Sequence, residues 1–266
     1  MKNTVKHQNP VVDKVIKRFE TVEVMTSLFL DTDSRMRGLM VLGDPGMGKT
    51  YYVTKALKDS GKFENVRYIK GADMSAPAFF AELYYYRNAG DIIVLDDVDI
   101  VNKGKGERST MLALLKGATD PDPRHRTLEW LKAGTNQLFK DNNIPSTFEF
   151  HGTIIWITND TQDALQKSVG NAHWNAISSR FRQVPAWFDA NEKIMYTLYL
   201  IEECDILGKN CLVEPFTKDV IEDVCQYLRE NWEDMEDVTP RVCIDLADLR
   251  NKLPDTWTIY ANTLNG

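Results

Sequence analysis

Gly43-Asp44-Pro45-Gly46-Met47-Gly48-Lys49-Thr50 stands between a short apolar run, Gly38 to Leu42 (GLMVL), and a helix-like stretch, TYYVTKALK. The octet fits G-x-x-x-x-G-K-[ST], and strand, glycine loop, helix is the order that a phosphate-binding loop demands. Glycines let successive backbone N–H groups converge on a phosphate, while the N-terminus of the following helix adds partial positive charge. On this reading Lys49 reaches the β- and γ-phosphates and Thr50 ligates Mg²⁺. The nucleotide-contacting set is then Asp44, Pro45, Gly46, Met47, Gly48, Lys49, Thr50 and the adjacent Tyr51. A glycine turn that merely joins strand to helix is the bland alternative, and a full-length match in this context argues against it.

Working outward, further strands are expected at NVRYIKG (Asn65 to Gly71), DIIVLDDVD (Asp91 to Asp99), GTIIWITND (Gly152 to Asp160) and FRQVPAW (Phe181 to Trp187). The continuous apolar stretches among them suit parallel strands buried on both faces. PAFFAELYYYRNAG reads as a helix ending at Gly90, with Phe79, Phe80, Tyr84, Tyr85 and Tyr86 mostly in the core. An N-terminal packing helix is expected from Val11 to Leu30, where apolar residues recur at spacings of three and four. Beyond Asp189 only helical periods remain: Glu192 to Cys204, Thr217 to Asn231, and a third opened by Thr239-Pro240. The expected class is α/β, a doubly wound parallel five-stranded sheet with a small C-terminal all-helical lid domain. Residues 1–188 would form the nucleotide-binding domain and 189–266 the helical one.

Ile92 to Leu95 deliver Asp96 and Asp97 to the C-terminal edge of the sheet, where ligands bind in such folds. Asp96 is expected to hold the Mg²⁺ shell, and Asp97 to orient or deprotonate an attacking water. Asp99 is a runner-up for either role. Adjacent acids that simply cap a strand are the competing reading.

The chain of 266 residues carries a net charge of −7, so a nucleic-acid surface would have to be a confined patch rather than the whole molecule. No apolar run approaches the ~20 residues that span a bilayer, and MKNTVKHQNP lacks the apolar core of a secretory signal, so a cytosolic address is expected. Cys204, Cys211, Cys225 and Cys243 form no CxxC pair and read as free thiols. His125 and His173 are isolated from other ligand types and suggest no metal site.

GDPGMGKT, LDDVD, a late FEFHGTIIWITN and SSRF, in this order, resemble the AAA+ ATPase family, phage-encoded members included, over about Arg37 to Lys252. The resemblance implies ATP and Mg²⁺ as cofactors, self-association into a ring or filament, and a cytoplasmic setting, that of the host if phage-encoded. It implies that Asn159, ending a strand between the acid pair and an arginine finger, positions the lytic water or touches the γ-phosphate. AISSRF then points to Arg180 as the finger that reaches a neighbour's nucleotide, with Arg182 the alternative and a surface ion pair the bland reading. Thr239-Pro240-Arg241 resembles the sensor 2 arginine, which contacts nucleotide from the lid. An arginine at a helix N-terminus opposes the local dipole unless an anion is near. The chain departs from the family's commoner Asp-Glu ending in having Asp96-Asp97, as initiator-like and helicase-loader-like branches do, which makes Asp97 a less certain base than Asp96 is a metal holder.

The interval from Asp97 to Asn159 is also longer than one helix and one connection need. Within it RHRTLEWL (Arg124 to Leu131) and STFEFHG (Ser146 to Gly152) alternate apolar with polar residues, as a hairpin-like insertion would. Nearby lie Lys103, Lys105, Arg108, Lys116, Arg124, Arg126 and Lys132, which read equally well as a phosphate-contacting surface or as solvated loops. The leading expectation is a self-assembling ATPase acting on DNA in replication or recombination as a helicase, loader or branch-migration motor. A protein remodeller is the alternative, although KGADMSAPAFFAEL lacks the aromatic-hydrophobic-glycine pore loop of unfoldases. A further alternative is an ATP-dependent switch that recruits a protein partner. A small-molecule kinase is disfavoured because the helical region is C-terminal rather than inserted.

Overall fold

The computed structural model describes residues 9–32, 36–132, 136–211 and 214–265. A helix, α1 (Pro10–Phe29), opens on proline, whose missing N–H is no loss in a first turn. It leads to β1 (Gly38–Gly43), then α2 (Lys49–Asp59), β2 (Val66–Lys70), α3 (Ala76–Tyr85) and β3 (Ile92–Asp96). Next come α4 (Lys105–Ala118), β4 (Thr127–Glu129), α5 (Gln137–Asp141), β5 (Thr147–Glu149) and β6 (Thr153–Thr158). The sheet region closes with α6 (Gln162–Val169), α7 (Asn171–Ser178) and β7 (Phe181–Ala186).

Five strands form one parallel sheet in the order β2-β3-β6-β1-β7. Every residue of β1, β3 and β6 is buried, which is why these segments read as unbroken apolar runs, whereas β2 and β7 at the edges mix buried with exposed positions. Parallel pairing sends all C-terminal strand ends to one edge. The doubly wound five-stranded sheet expected from the sequence is therefore present.

Two local expectations differ from the structure. The helix α3 stops at Tyr85 rather than at Gly90. Arg87 Nη1 donates to the Tyr84 carbonyl at 2.6 Å and its guanidinium stacks 4.0 Å over the Tyr84 ring, satisfying a terminal carbonyl that another helical turn would have used. The hairpin is also much shorter than the alternating segments, with only Thr127–Glu129 paired antiparallel to Thr147–Glu149. Leu128 and Phe148 face the interior, and Phe80, Trp130, Phe139 and Phe148 form an aromatic cluster with centroids 4.9 to 5.4 Å from Phe80. Part of the segment that joins the two strands, residues 133–135, lies outside the described residues.

The chain divides into two compact units: Glu20–Gly43 with Lys49–Ala186, and a second made of the chain up to Phe19, Asp44–Gly48 and Trp187 onward. In the second unit lie α8 (Ala190–Glu202), α9 (Lys218–Asn231), α10 (Pro240–Lys252) and α11 (Trp257–Asn265). Ile194, Leu198, Val224, Leu228, Leu246 and Trp257 pack in its core. The last helix was not read from the sequence, yet Trp257 and Ala261, one turn apart, bury themselves in that core. Asp189 closes a capping box with Glu192 at the start of α8, and the Thr239 side chain caps α10. All four cysteines are free, Cys225 and Cys243 buried and Cys204 and Cys211 half-buried. No described helix is long and apolar enough to cross a membrane.

Candidate functional site

Gly43 ends β1 where the chain has no room for a side chain: a Cβ there would stand 2.2 Å from the Ala186 carbonyl oxygen on β7. The loop that follows needs left-handed backbone at Gly46 (φ 73°) and Gly48 (φ 111°), which glycine adopts without steric cost. Met47, between them, is buried, so its side chain anchors the loop and only its backbone is offered. Pro45 is exposed.

Lys49 begins α2 and is buried; its ammonium donates to the Gly43 carbonyl at 2.8 Å and to Asn159 Oδ1 at 2.6 Å. A lysine folded back across the loop that precedes it is what a phosphate cradle requires. Asn159, just past the end of β6, turns its Nδ2 to Asp97 Oδ1 at 2.9 Å. Asp97 itself leaves β3 in the left-handed region (φ 52°), which is uncommon for a side chain with a Cβ. Its N–H donates to the Ile157 carbonyl at 3.1 Å, so β6 pins the turn that aims Asp97. Asp96, 1% exposed, accepts at Oδ2 from Thr50 Oγ1 and from Tyr68 OH, each at 2.9 Å. Five of the expected residues, Lys49, Thr50, Asp96, Asp97 and Asn159, thus converge at the C-terminal edge of β3 and β6.

In the second unit the loop residues have other partners. Asp44 Oδ2 accepts the Phe188 N–H at 2.7 Å, and Asp44 Oδ1 lies 3.1 Å from the ammonium of Lys193 on α8. Lys193 also donates to Asp237 at 2.8 Å. The Asp44 carboxylate therefore braces the start of the loop. The Thr239 side chain, immediately before α10, packs beside Gly46, where an added Cβ would come within 3.1 Å of its Oγ1. Arg241, the second residue of α10, is exposed. Tyr51, 63% exposed, rests edge-on against Tyr52.

Arg180 lies between α7 and β7 and is turned inward: Nη1 donates to the Ala176 carbonyl at 2.9 Å and Nη2 to Asp120 Oδ2 at 3.0 Å. Arg182, on the edge strand β7, is exposed. Two of the basic residues grouped with the hairpin do not offer a free cationic surface. Arg126 is buried, donating from Nε to the Asp120 carbonyl at 2.6 Å, because it ties the turn before β4 to the end of α4. Arg124 is exposed but its guanidinium is held at 2.6 Å by Asp122. Lys103 is paired with Asp73, and Lys116 lies 3.3 Å from His173 Nδ1. Lys105 and Lys132 are exposed, the latter 5.3 Å over the Trp130 ring, and Lys140 on α5 adds a further exposed cation.

Sequence reasoning missed Tyr68, Lys193 and Asp237. Tyr68 owes its place to strand register: β2 pairs in parallel with β3 so that Lys70 lies opposite Asp96, and Tyr68, two residues earlier, shares that face. Burial, with the Asp96 carboxylate beside it, pushes the Tyr68 phenol well above the usual tyrosine range, so it stays a donor. Lys193 and Asp237 left no local signal, since their meeting depends on how α8 and the turn before α10 pack.

A glycine loop between β1 and α2, an acid pair ending the central β3, an asparagine ending β6, and a helical C-terminal region occur here in one order on one parallel sheet. The chain has a doubly wound α/β fold with a phosphate-loop sequence between β1 and α2. No family model matches it. A protein of Enterobacteria phage T4, described as an uncharacterized 36.7 kDa protein in the nrdC-mobD intergenic region, is 26% identical over 261 residues, spanning 95% of this chain and 76% of its own length. Among solved structures, NtrX from Brucella abortus in complex with ADP aligns over 92% of this chain at 14% identity and TM-score 0.45. A point mutant of RuvB from Thermotoga maritima aligns over 94% at 14% identity and TM-score 0.49. The chain spans 52% of that NtrX chain and 65% of that RuvB chain.

Proposed function

We propose that this AAA+-type protein binds ATP with Mg²⁺ and hydrolyses it in a self-assembled state, and that the work is done on DNA in phage replication or recombination, as a helicase, loader or branch-migration motor. The observation that carries the ATPase reading is the linked set of Lys49, Asn159 and Asp97 beside Thr50 and Asp96. It supplies, within one cluster, a cation for phosphate, an amide to orient water, a carboxylate to accept its proton, and a hydroxyl–carboxylate pair of hard oxygen donors suited to Mg²⁺.

The residues fit the nucleotide and the metal. Gly46 and Gly48 adopt the left-handed conformations that let loop N–H groups face one point, and Lys49 carries its ammonium at the start of α2. Thr50 and Asp96 would hold Mg²⁺, which when bound neutralises charge on the phosphate oxygens. Lys49 would hold the β- and γ-phosphates. Asn159, fixed between Lys49 and Asp97, would orient a water for Asp97 to deprotonate. Arg180, released from Asp120, would reach a neighbouring subunit's nucleotide and so make turnover depend on assembly.

The DNA assignment rests on Trp130, Lys132 and Lys140 around the hairpin, an aromatic face with cations beside it. Burial of Arg126 and neutralisation of Arg124 by Asp122 favour the second reading, a remodeller or switch that engages a protein partner.

Steady-state ATP hydrolysis at fixed salt, with no effector, single-stranded DNA or duplex DNA, tests both, with Lys49→Ala as the blank. Stimulation by DNA that the blank lacks, and that falls in Lys132→Ala, supports the DNA reading. Turnover indifferent to DNA moves the assignment to a protein client. Absence of turnover and of nucleotide binding would overturn the ATPase reading.

A further inference from the structure

We propose that Tyr68 is a positioning residue for the metal-holding carboxylate of Asp96, a role that rests on the ATPase reading above and deepens it. Its hydroxyl sets which oxygen of Asp96 is committed to the protein and which remains for the metal shell.

Asp96 is 1% exposed, so bulk water cannot set its rotamer. Two side chains from different elements, Thr50 from α2 and Tyr68 from β2, each direct a hydroxyl at 2.9 Å to the same atom, Oδ2. Neither addresses Oδ1. A carboxylate oxygen has two lone pairs in its plane, and two donors on Oδ2 fill them. The carboxylate plane is thereby fixed, with Oδ1 as the oxygen left to the shell.

The sheet register explains why only a long side chain at position 68 can do this. Lys70 lies directly opposite Asp96, so Tyr68 is on the same face one pleat back. A phenol spans that pleat, whereas serine or threonine would fall short of it. Thr50 has one proton and two lone pairs, so it would keep donating to Oδ2 while a lone pair served the metal, and Tyr68 is the donor to Oδ2 that has no metal-holding duty of its own. Groups that orient metal-holding carboxylates in this way tune affinity without touching the metal.

The test is Tyr68→Phe, which keeps the ring and removes only the donor. Binding of a fluorescent ADP analogue is titrated with and without Mg²⁺, and Mn²⁺ binding to the nucleotide complex is followed by its electron paramagnetic resonance signal. The expected result is a roughly 10-fold weaker apparent metal affinity, with metal-free nucleotide binding and melting temperature unchanged. A merely structural role would move the metal-free affinity or the melting temperature instead. Combining Tyr68→Phe with Asp96→Asn should add nothing to the loss from Asp96→Asn alone, because Tyr68 acts only through that carboxylate. Wild-type metal affinity in Tyr68→Phe would overturn the role of Tyr68 while leaving the ATPase reading intact. A wild-type protein whose nucleotide binding ignores Mg²⁺ would overturn both.

Discussion

Lys49 Nζ donates at 2.6 Å to Oδ1 of Asn159, a residue 110 positions further along the chain. The contact joins the first turn of α2 to the end of β6. Because the ammonium can only donate and the Asp97 carboxylate on the other side can only accept, the orientation of the Asn159 amide follows from its neighbours. One side chain therefore holds the cation and the carboxylate of the candidate site at a set separation.

Asn159→Ala should remove that spacer without removing the Lys49 ammonium. The expected outcome is a fall in kcat of roughly 100-fold with ADP affinity nearly unchanged, read from steady-state hydrolysis beside equilibrium nucleotide binding. A parallel loss of binding would mean that Asn159 mainly supports Lys49.

Arg180 is paired with Asp120 at 3.0 Å, so the proposed finger is engaged within its own subunit. If assembly exchanges that partner for a phosphate, Arg180→Ala should abolish the rise of specific activity with protein concentration, a loss of about 1,000-fold at saturation. Asp120→Asn should instead lower the concentration at which activity rises. Arg182→Ala, on the exposed edge strand, serves as the comparison. Identical concentration dependence in Arg180→Ala and wild type would remove Arg180 from the mechanism.

Lys193 braces the glycine loop through Asp44 and the turn before α10 through Asp237. Burial draws its ammonium pKa down, but hydrogen bonds to Asp237 and Asp44 outweigh that, and the net shift is upward. A raised lysine contributes stability fully below its unfolded value of about 10.4 and loses it as pH rises through the folded value. Lys193→Met should cost about 1–3 kcal/mol near pH 8, where two carboxylates lose a charged partner. Melting temperatures of the two proteins should converge as pH rises through the raised folded value.

Glu192 behaves oppositely. Its side chain is 4% exposed and takes Lys14 at 2.6 Å and Arg18 at 2.8 Å, tying α1 to the start of α8. Burial raises its pKa, yet Lys14, the Asp189 N–H and Arg18 together bring it below the usual glutamate value. Its contribution is present above the unfolded value of about 4.3 and is lost as pH falls through the lower folded value. Glu192→Gln should therefore lower the melting temperature at pH 7 and flatten its decline on acidification, measured by circular dichroism.

Much of the fold was legible because burial writes itself into composition. GLMVL, IIVLD and TIIWIT are uninterrupted apolar runs, and each is a strand buried on both faces. Within the candidate site, G-x-x-x-x-G-K-[ST] made Lys49 and Thr50 readable because the backbone needs glycine where φ is positive, and Asp96 and Asp97 were readable because they follow an apolar strand directly. Short-range capping also showed: Thr239-Pro240 opens α10 as its chemistry requires. The fourth C-terminal helix escaped because TWTIYANTLN carries too few apolar positions to announce a face until Trp257 and Ala261 meet the other helices.

What required three dimensions was the identity of each polar side chain's partner. Arginine and lysine look alike in sequence whether they sit in water or against a carboxylate, so Arg126 was grouped with exposed cations although it is buried against the end of α4. The partners of the Asp44 carboxylate, Lys193 and the Phe188 N–H, lie more than 140 positions further along the chain. Tyr68 depended on the register of two parallel strands, which no local pattern specifies. Local backbone chemistry and apolar burial act over a few residues and are printed in order along the chain. Hydrogen-bond and ion-pair partners are chosen across more than a hundred positions, by the packing of strands and helices that brings them within 3 Å.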